Sequence, residues 1–189
     1  LTTLTKNSKL KIKNVNINPT RIGVIQILRL MGASIKIKNK KTYKGESVAD
    51  LLVQSNTLLK PINSPIRLNS SAIDEFLLIF LVAAKANGVS NFKNLAELNQ
   101  KESPRLKWGS KILNMMGVKT ITTENSIKIF GNPNLKVKKK IVIKNYLQDH
   151  RVFMTSLIAA LSFGGIWYIH DKDSIKTSFP DFLKIINKF

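Results

Sequence analysis

The segment Ile27-Leu28-Arg29-Leu30-Met31-Gly32-Ala33 recurs as Ile112-Leu113-Asn114-Met115-Met116-Gly117-Val118. Each copy is an apolar helical face that ends in Met-Gly, and glycine suits the left-handed residue that closes a helix. A strand pattern follows each one, Ser34 to Lys38 in the first and Lys119 to Ile121 with Ser126 to Ile129 in the second. The spacing of roughly 80 residues is too long for a stacked solenoid repeat.

The flanking segments also correspond. A helix with Ala83-Ala84 runs to Asn87-Gly88 and is followed by a strand from Val89 to Phe92. Another, with Ala159-Ala160, runs to Gly164-Gly165 and is followed by a strand from Ile166 to Ile169. Leu1-Thr2-Thr3-Leu4-Thr5, before a strand from Lys9 to Val15, reads as the end of a helix whose beginning is absent, so the chain is expected to be truncated at its N-terminus. Each unit reads helix, strand, loop, second helix, strand. The copies fall at roughly 1–54, 55–130 and 131–189. Such repetition predicts a pseudo-symmetric α/β domain. The second helices are expected to start near Thr20, Ser103 and Ser178, where a hydroxyl beside proline can satisfy free N–H groups.

Composition narrows the class. The chain has 189 residues, a 43% apolar share and no cysteine, which suits one globular core and leaves no disulfide framework or thiol nucleophile. The longest apolar run, Phe76 to Ala84, is far short of the roughly 20 residues that a membrane-spanning helix needs. The cytoplasm is the default compartment. A net charge of +20 would attract any polyanion, and a basic nucleic-acid-binding domain is one alternative reading. The lysines, however, are spread among Asn and Ile, with no run longer than Lys138-Lys139-Lys140, and this bias matches a genome poor in G and C.

Ionisable residues gather where helices begin: Asp74-Glu75, Lys101 to Arg105, and Asp149-His150-Arg151. A helix N-terminus favours anions, so several such ends turned the same way would make one anion-attracting face. Lys101 and Arg105, four apart, can share a helix face and clamp one anionic group, with Glu102 between them as a proton donor or acceptor. The plainer alternatives are a dipole-stabilising acid at Glu102, a solvated Lys101, and an N-cap at Asp149. His150 and His170 are too far apart to suggest a metal centre, and His170 reads as a loop residue.

In this order, Asn18-Pro19-Thr20-Arg21, Gly45 to Leu51, Ile73 to Phe76, Lys101 to Arg105, Asp149-His150-Arg151 and Thr177-Ser178-Phe179-Pro180 resemble the 5-enolpyruvylshikimate-3-phosphate synthase family over nearly the whole chain. The last motif is similar to the family's glyphosate-tolerant bacterial branch. The resemblance implies a C-terminal, pseudo-threefold inside-out α/β barrel domain of βαβαββ units, half of a two-domain enzyme that is a monomer at full length. It implies transfer of the enolpyruvyl group of phosphoenolpyruvate to the 5-hydroxyl of shikimate 3-phosphate, without metal or cofactor, membrane or nucleic acid. Asp74 would bind the shikimate hydroxyls and act as base, and Glu102 would exchange the proton at the phosphoenolpyruvate methylene. Lys101 would contact the shikimate substrate, Arg105 and Arg151 would hold phosphoenolpyruvate, and His150 would polarise nearby.

Three departures stand out: Leu77 for a usual Pro, Pro104 for Asp or Thr, and Phe153 for a small Ala. Pro104 suits a first helical turn. Phe153 is expected to overpack the core by about 1–3 kcal/mol unless its neighbours adjust. These substitutions also leave open a decayed, non-catalytic domain. With the family's N-terminal domain absent, residues 1–189 alone are expected to show no turnover.

Overall fold

The two Met-Gly signals end helices as their residue types require. In this computed structural model, which describes residues 1–56 and 58–188, helix α1 covers Gly23–Leu30 and α3 covers Arg105–Met115. Gly32 and Gly117 follow with φ of +87° and +89°. At each, two amides fold back onto the last turn: Gly32 to Arg29 and Ala33 to Leu28, Gly117 to Asn114 and Val118 to Leu113, all at 2.9–3.0 Å. Both helices therefore stop by the same paired closure, which satisfies otherwise orphaned carbonyls.

Around each helix the chain builds the same sheet, one strand before it and two after. Strands β1 (Lys9–Asn16), β2 (Ser34–Tyr43) and β3 (Glu46–Gln54) are ordered β1-β3-β2. Strands β4 (Gly88–Phe92), β5 (Thr120–Thr122) and β6 (Ile127–Gly131) are ordered β4-β6-β5. Strands β7 (Lys140–Ile143) and β8 (Ile166–Ile169) pair in parallel around helix α4 (His150–Phe163). At the start, the Leu4 and Thr5 amides both bond the Leu1 carbonyl, which is the geometry of a closing helical turn.

In the first sheet, register separates the two faces. Ile35 and Leu51 pack with Ile25 and Ala33. On the other face, Lys11 and Lys36 stand opposite Leu52, and Lys38 stands opposite Asp50. Asp50 ties two bulges together: its carboxylate accepts from the Asn14 amide at 3.2 Å and from Asn39 Nδ2 at 2.8 Å, and Lys11 pairs with it at 3.1 Å. The hydrogen bond from Asn39, helped by Lys11 and Asn14, lowers its pKa to about 2.

Helix α2 (Phe76–Ala84) is apolar all round and buried except at Leu78, which identifies it as the centre of the main core. Phe76, Phe80 and Phe92 meet with ring centroids 5.3–6.1 Å apart. Helix α3 lies so close that a Cβ on Gly109 would sit 2.7 Å from Phe80 Cδ2. Leu77 and Phe153 are buried in this core, 3% and 4% exposed. Among the described residues no helix is long and apolar enough to cross a membrane.

The second helices start later than the cap signals suggest. Helix α1 begins at Gly23, α3 at Arg105 and α5 (Phe182–Ile186) at Phe182. Thr20 Oγ1 donates to Asn18 Oδ1, inside the preceding turn. The Ser103 hydroxyl donates to Asp149 at 2.8 Å, and Pro104 takes the N-cap position, its carbonyl accepting from Trp108. A buried carboxylate from another helix outcompetes the local amides for Ser103.

Candidate active site

Three helix starts converge. Asp74 and Glu75 close the 3-10 turn Ser70–Glu75 that runs into α2, Glu102 and Arg105 sit at the entry to α3, and Asp149 to Arg151 open α4. All of these side chains except that of His150 form one network centred on Arg105, which is 2% exposed. Arg105 Nε donates to Asp149 Oδ2 at 2.9 Å, Nη1 to Asp74 Oδ1 at 3.2 Å, and Nη2 to Glu102 Oε2. Arg151 meets Asp74 from the other side: Nη1 donates to the Asp74 carbonyl at 2.7 Å, and Nη2 lies 3.4 Å from Asp74 Oδ2.

Asp149 has two tasks. It caps α4 by accepting from the Arg151 amide at 2.9 Å, and it takes the Ser103 hydroxyl and the Arg105 fork. Burial alone would push its carboxyl up, but the bonds from Arg105 and Ser103 outweigh that and hold it below the usual value. Glu75 goes the other way: burial raises its pKa, Asp74 adds to the rise, and Arg151, 3.5 Å away, only partly offsets it.

The expected clamp by Lys101 and Arg105 does not form in this arrangement. Lys101 is extended, φ −83° and ψ −170°, and lies outside α3, so the two share no helix face. Its ammonium pairs with Glu97 at 2.9 Å. Arg105 is turned onto carboxylates of its own chain. His150 is the first residue of α4 and half-buried, and its side chain has no hydrogen-bond partner among the described residues. His170 lies in the exposed loop after β8. Among the described residues no group of three or more His, Cys, Asp or Glu could hold a metal ion.

Asp149 as the buried acceptor for Arg105 is what sequence reasoning missed. Its type and position suggested a helix cap, and nothing local showed that a residue 44 positions earlier would reach it. Size does not mark the site either. A groove of about 840 Å³ along the outer face of α3, bordered by Lys107, Ser110 and Lys111, holds none of the candidate residues. Asp74 and Glu75 border a smaller cavity of about 290 Å³ with Thr20, Arg21, Ser70 and Ser71. The convergence of charge at helix starts singles out the second.

The mixed α/β fold is shared with solved enolpyruvyl transferases. NikO of Streptomyces tendae, an enolpyruvyl transferase, has this fold with a TM-score of 0.70 and 15% identity, matching 95% of this chain and 38% of its own. EPSP synthase from Acinetobacter baumannii superposes with a TM-score of 0.88 at 32% identity, over 99% of this chain and 43% of its own.

A family model for EPSP synthase (3-phosphoshikimate 1-carboxyvinyltransferase) matches residues 2–186, and the chain belongs to that family. The 3-phosphoshikimate 1-carboxyvinyltransferase of Ruthia magnifica is 42% identical over 177 residues, covering 94% of this chain and 40% of the relative. That of Petrotoga mobilis is 37% identical over 185 residues, covering 98% and 42%. The chain thus spans about two fifths of the length of the curated relatives it matches.

Proposed function

We propose that this chain forms one wall of the site for enolpyruvyl transfer from phosphoenolpyruvate to the 5-hydroxyl of shikimate 3-phosphate, with release of phosphate. The observation that supports it most is the meeting of Asp74, Glu102, Arg105 and Arg151, from three separate segments, in one ion-pair network. In this reading the opposite wall is supplied by the part of the relatives' length that the chain does not span.

Asp74 is the base that takes the 5-hydroxyl proton, oriented by Arg105 on one oxygen and Arg151 on the other. The 5-oxygen then bonds to C2 of phosphoenolpyruvate while C3 gains a proton. Loss of phosphate from C2 and of a proton from C3 restores the double bond. Glu102, with a half-exposed side chain at the mouth of the network, is the group for proton exchange at C3. Arg105 and Arg151 hold the phosphoenolpyruvate anion, His150 polarises beside them, and Lys101 contacts the shikimate substrate once it leaves Glu97.

Arg105 is therefore stored in a self-occupied form. Glu102 and Asp74 fill the fork that an incoming carboxylate or phosphate would take. The test is a chimera in which this chain replaces the matching segment of the Ruthia magnifica relative. Phosphate release from phosphoenolpyruvate that depends on shikimate 3-phosphate, and that Asp74→Asn abolishes, is the expected result. A folded chimera without that activity would overturn the proposal.

A further inference from the structure

The motif Asn18-Pro19-Thr20-Arg21 has no role in the chemistry above, yet the fold carries it to the same site. A Cβ on Gly23 would meet Ser71 Oγ at 2.2 Å and the Ser71 carbonyl carbon and oxygen at 2.8 and 2.9 Å, so only glycine lets α1 approach the Ser70–Glu75 turn this closely. The turn before it is held by local bonds. Asn18 Oδ1 accepts from the Thr20 amide at 3.0 Å and its hydroxyl at 2.9 Å, and the Asn18 carbonyl accepts from the Arg21 amide at 2.9 Å.

Arg21 is thereby fixed at the rim of the 290 Å³ cavity that Asp74 and Glu75 also line. Its charge reaches the site: with Arg151, it opposes the rise that burial imposes on the Glu75 carboxyl. Arg105 and Arg151 are both engaged by carboxylates of the chain. Among the described residues, the exposed Arg21 side chain has no hydrogen-bond or ion-pair partner, so its donor fork is unoccupied. A free guanidinium beside the proposed base is suited to an anionic oxygen group on the molecule that the base deprotonates.

We propose that Arg21 is a further substrate-binding residue, holding the carboxylate or phosphate group of the substrate whose hydroxyl faces Asp74. This rests on the enolpyruvyl-transfer reading, which makes that substrate shikimate 3-phosphate. Arg21 binds and orients, and takes no part in proton transfer. Its place on the segment before α1 gives the first repeat a direct share in a site otherwise built by the second and third.

The test is an NMR titration of the 189-residue chain with shikimate 3-phosphate, shikimate, inorganic phosphate and phosphoenolpyruvate. The Arg21 Nε–H resonance should shift saturably with shikimate 3-phosphate, and Arg21→Gln should weaken binding at least about tenfold, as loss of a charge-assisted bond implies. Arg21→Lys should recover part of it, and Lys36→Gln, which removes an exposed charge from the first sheet, should leave it unchanged. A shift of that resonance by shikimate alone would assign Arg21 to the carboxylate, and a shift by inorganic phosphate alone to the phosphate. Unchanged affinity in Arg21→Gln, beside a loss in Arg151→Gln, would overturn this proposal and leave the function standing. Equal losses in Arg21→Gln and Lys36→Gln would overturn it as general charge attraction. No saturable binding of either phosphorylated substrate, by the 189-residue chain or by the chimera, would overturn both.

Discussion

Nε of Arg105 lies 2.9 Å from Oδ2 of Asp149, with the two side chains 2% and 0% exposed. The same carboxylate starts α4 through the Arg151 amide. One buried acid thus fixes a cation on α3 and the direction of the helix that carries another.

Breaking this pair from the acid side strands a buried guanidinium. Asp149→Asn should cost about 3–5 kcal/mol of unfolding free energy, the range for removing one partner of a buried ion pair. Ser103→Ala, which removes a single bond to the carboxylate, should cost less, about 1.5–3 kcal/mol. Urea denaturation of both variants measures the difference. An Asp149→Asn loss below about 1 kcal/mol would show that Asp74 and Glu102 suffice to hold Arg105.

Two carboxyls give pH dependences of opposite sign. Asp50 is depressed to about 2, so its contribution is complete above an unfolded value of about 3.9 and fades as pH falls through about 2. Asp50→Asn should flatten the acid limb of stability between those values and speed hydrogen exchange at the Asn14 amide. Glu75 is raised, so its contribution is present below about 4.3 and lost as pH rises through the folded value. The stability of Glu75→Gln relative to the parent should therefore increase from pH 4 to pH 7. A relative decrease over that range would mean that Arg151 outweighs burial at this site.

What the sequence made legible was local. The Met-Gly closures at Gly32 and Gly117, the strand Ile166–Ile169 and the cap at Asp149 depend on neighbours within a few residues, and the types present have few alternatives. The mixed α/β fold and the family followed from their order along the chain. The expectations that failed needed tertiary knowledge. Ser103 was expected to cap α3, but the Asp149 carboxylate, 46 residues away, takes its hydroxyl. Lys101 and Arg105 have helical spacing, yet the helix begins only at Arg105. The same limit hid the pairing of Arg105 with Asp149, because a cap and a buried counter-ion share one residue type.

Removing Glu102 should separate binding from turnover. Its side chain is half exposed, so its pair with Arg105 is worth no more than about 1 kcal/mol, a factor of about five in affinity. Glu102→Gln should bind phosphoenolpyruvate up to that much more tightly, because a competing anion has left the Arg105 fork. In the chimera, the same change should abolish turnover by removing the proton carrier for C3. Weaker binding of phosphoenolpyruvate to Glu102→Gln would mean that the acid organises Arg105 for the ligand, against the self-occupied reading.

The glycine pair Gly23 and Gly45 separates site geometry from general stability. A Cβ at Gly23 collides with the Ser71 side chain and backbone, whereas at Gly45, with φ of +81°, it meets nothing within 4 Å. Gly23→Ala should cost about 1–3 kcal/mol by overpacking, and Gly45→Ala about 1 kcal/mol by backbone strain. The functional effects should differ far more than the stabilities. Moving α1 off the Ser70–Glu75 turn carries Thr20 and Arg21 away from Asp74, so Gly23→Ala should weaken binding of shikimate 3-phosphate well below its melting range. Gly45→Ala lies in the β2–β3 turn and should bind as the parent does. Parental affinity in a folded Gly23→Ala chain would show that the approach of α1 serves packing alone, because the distance from Arg21 to Asp74 would then not set the strength of binding.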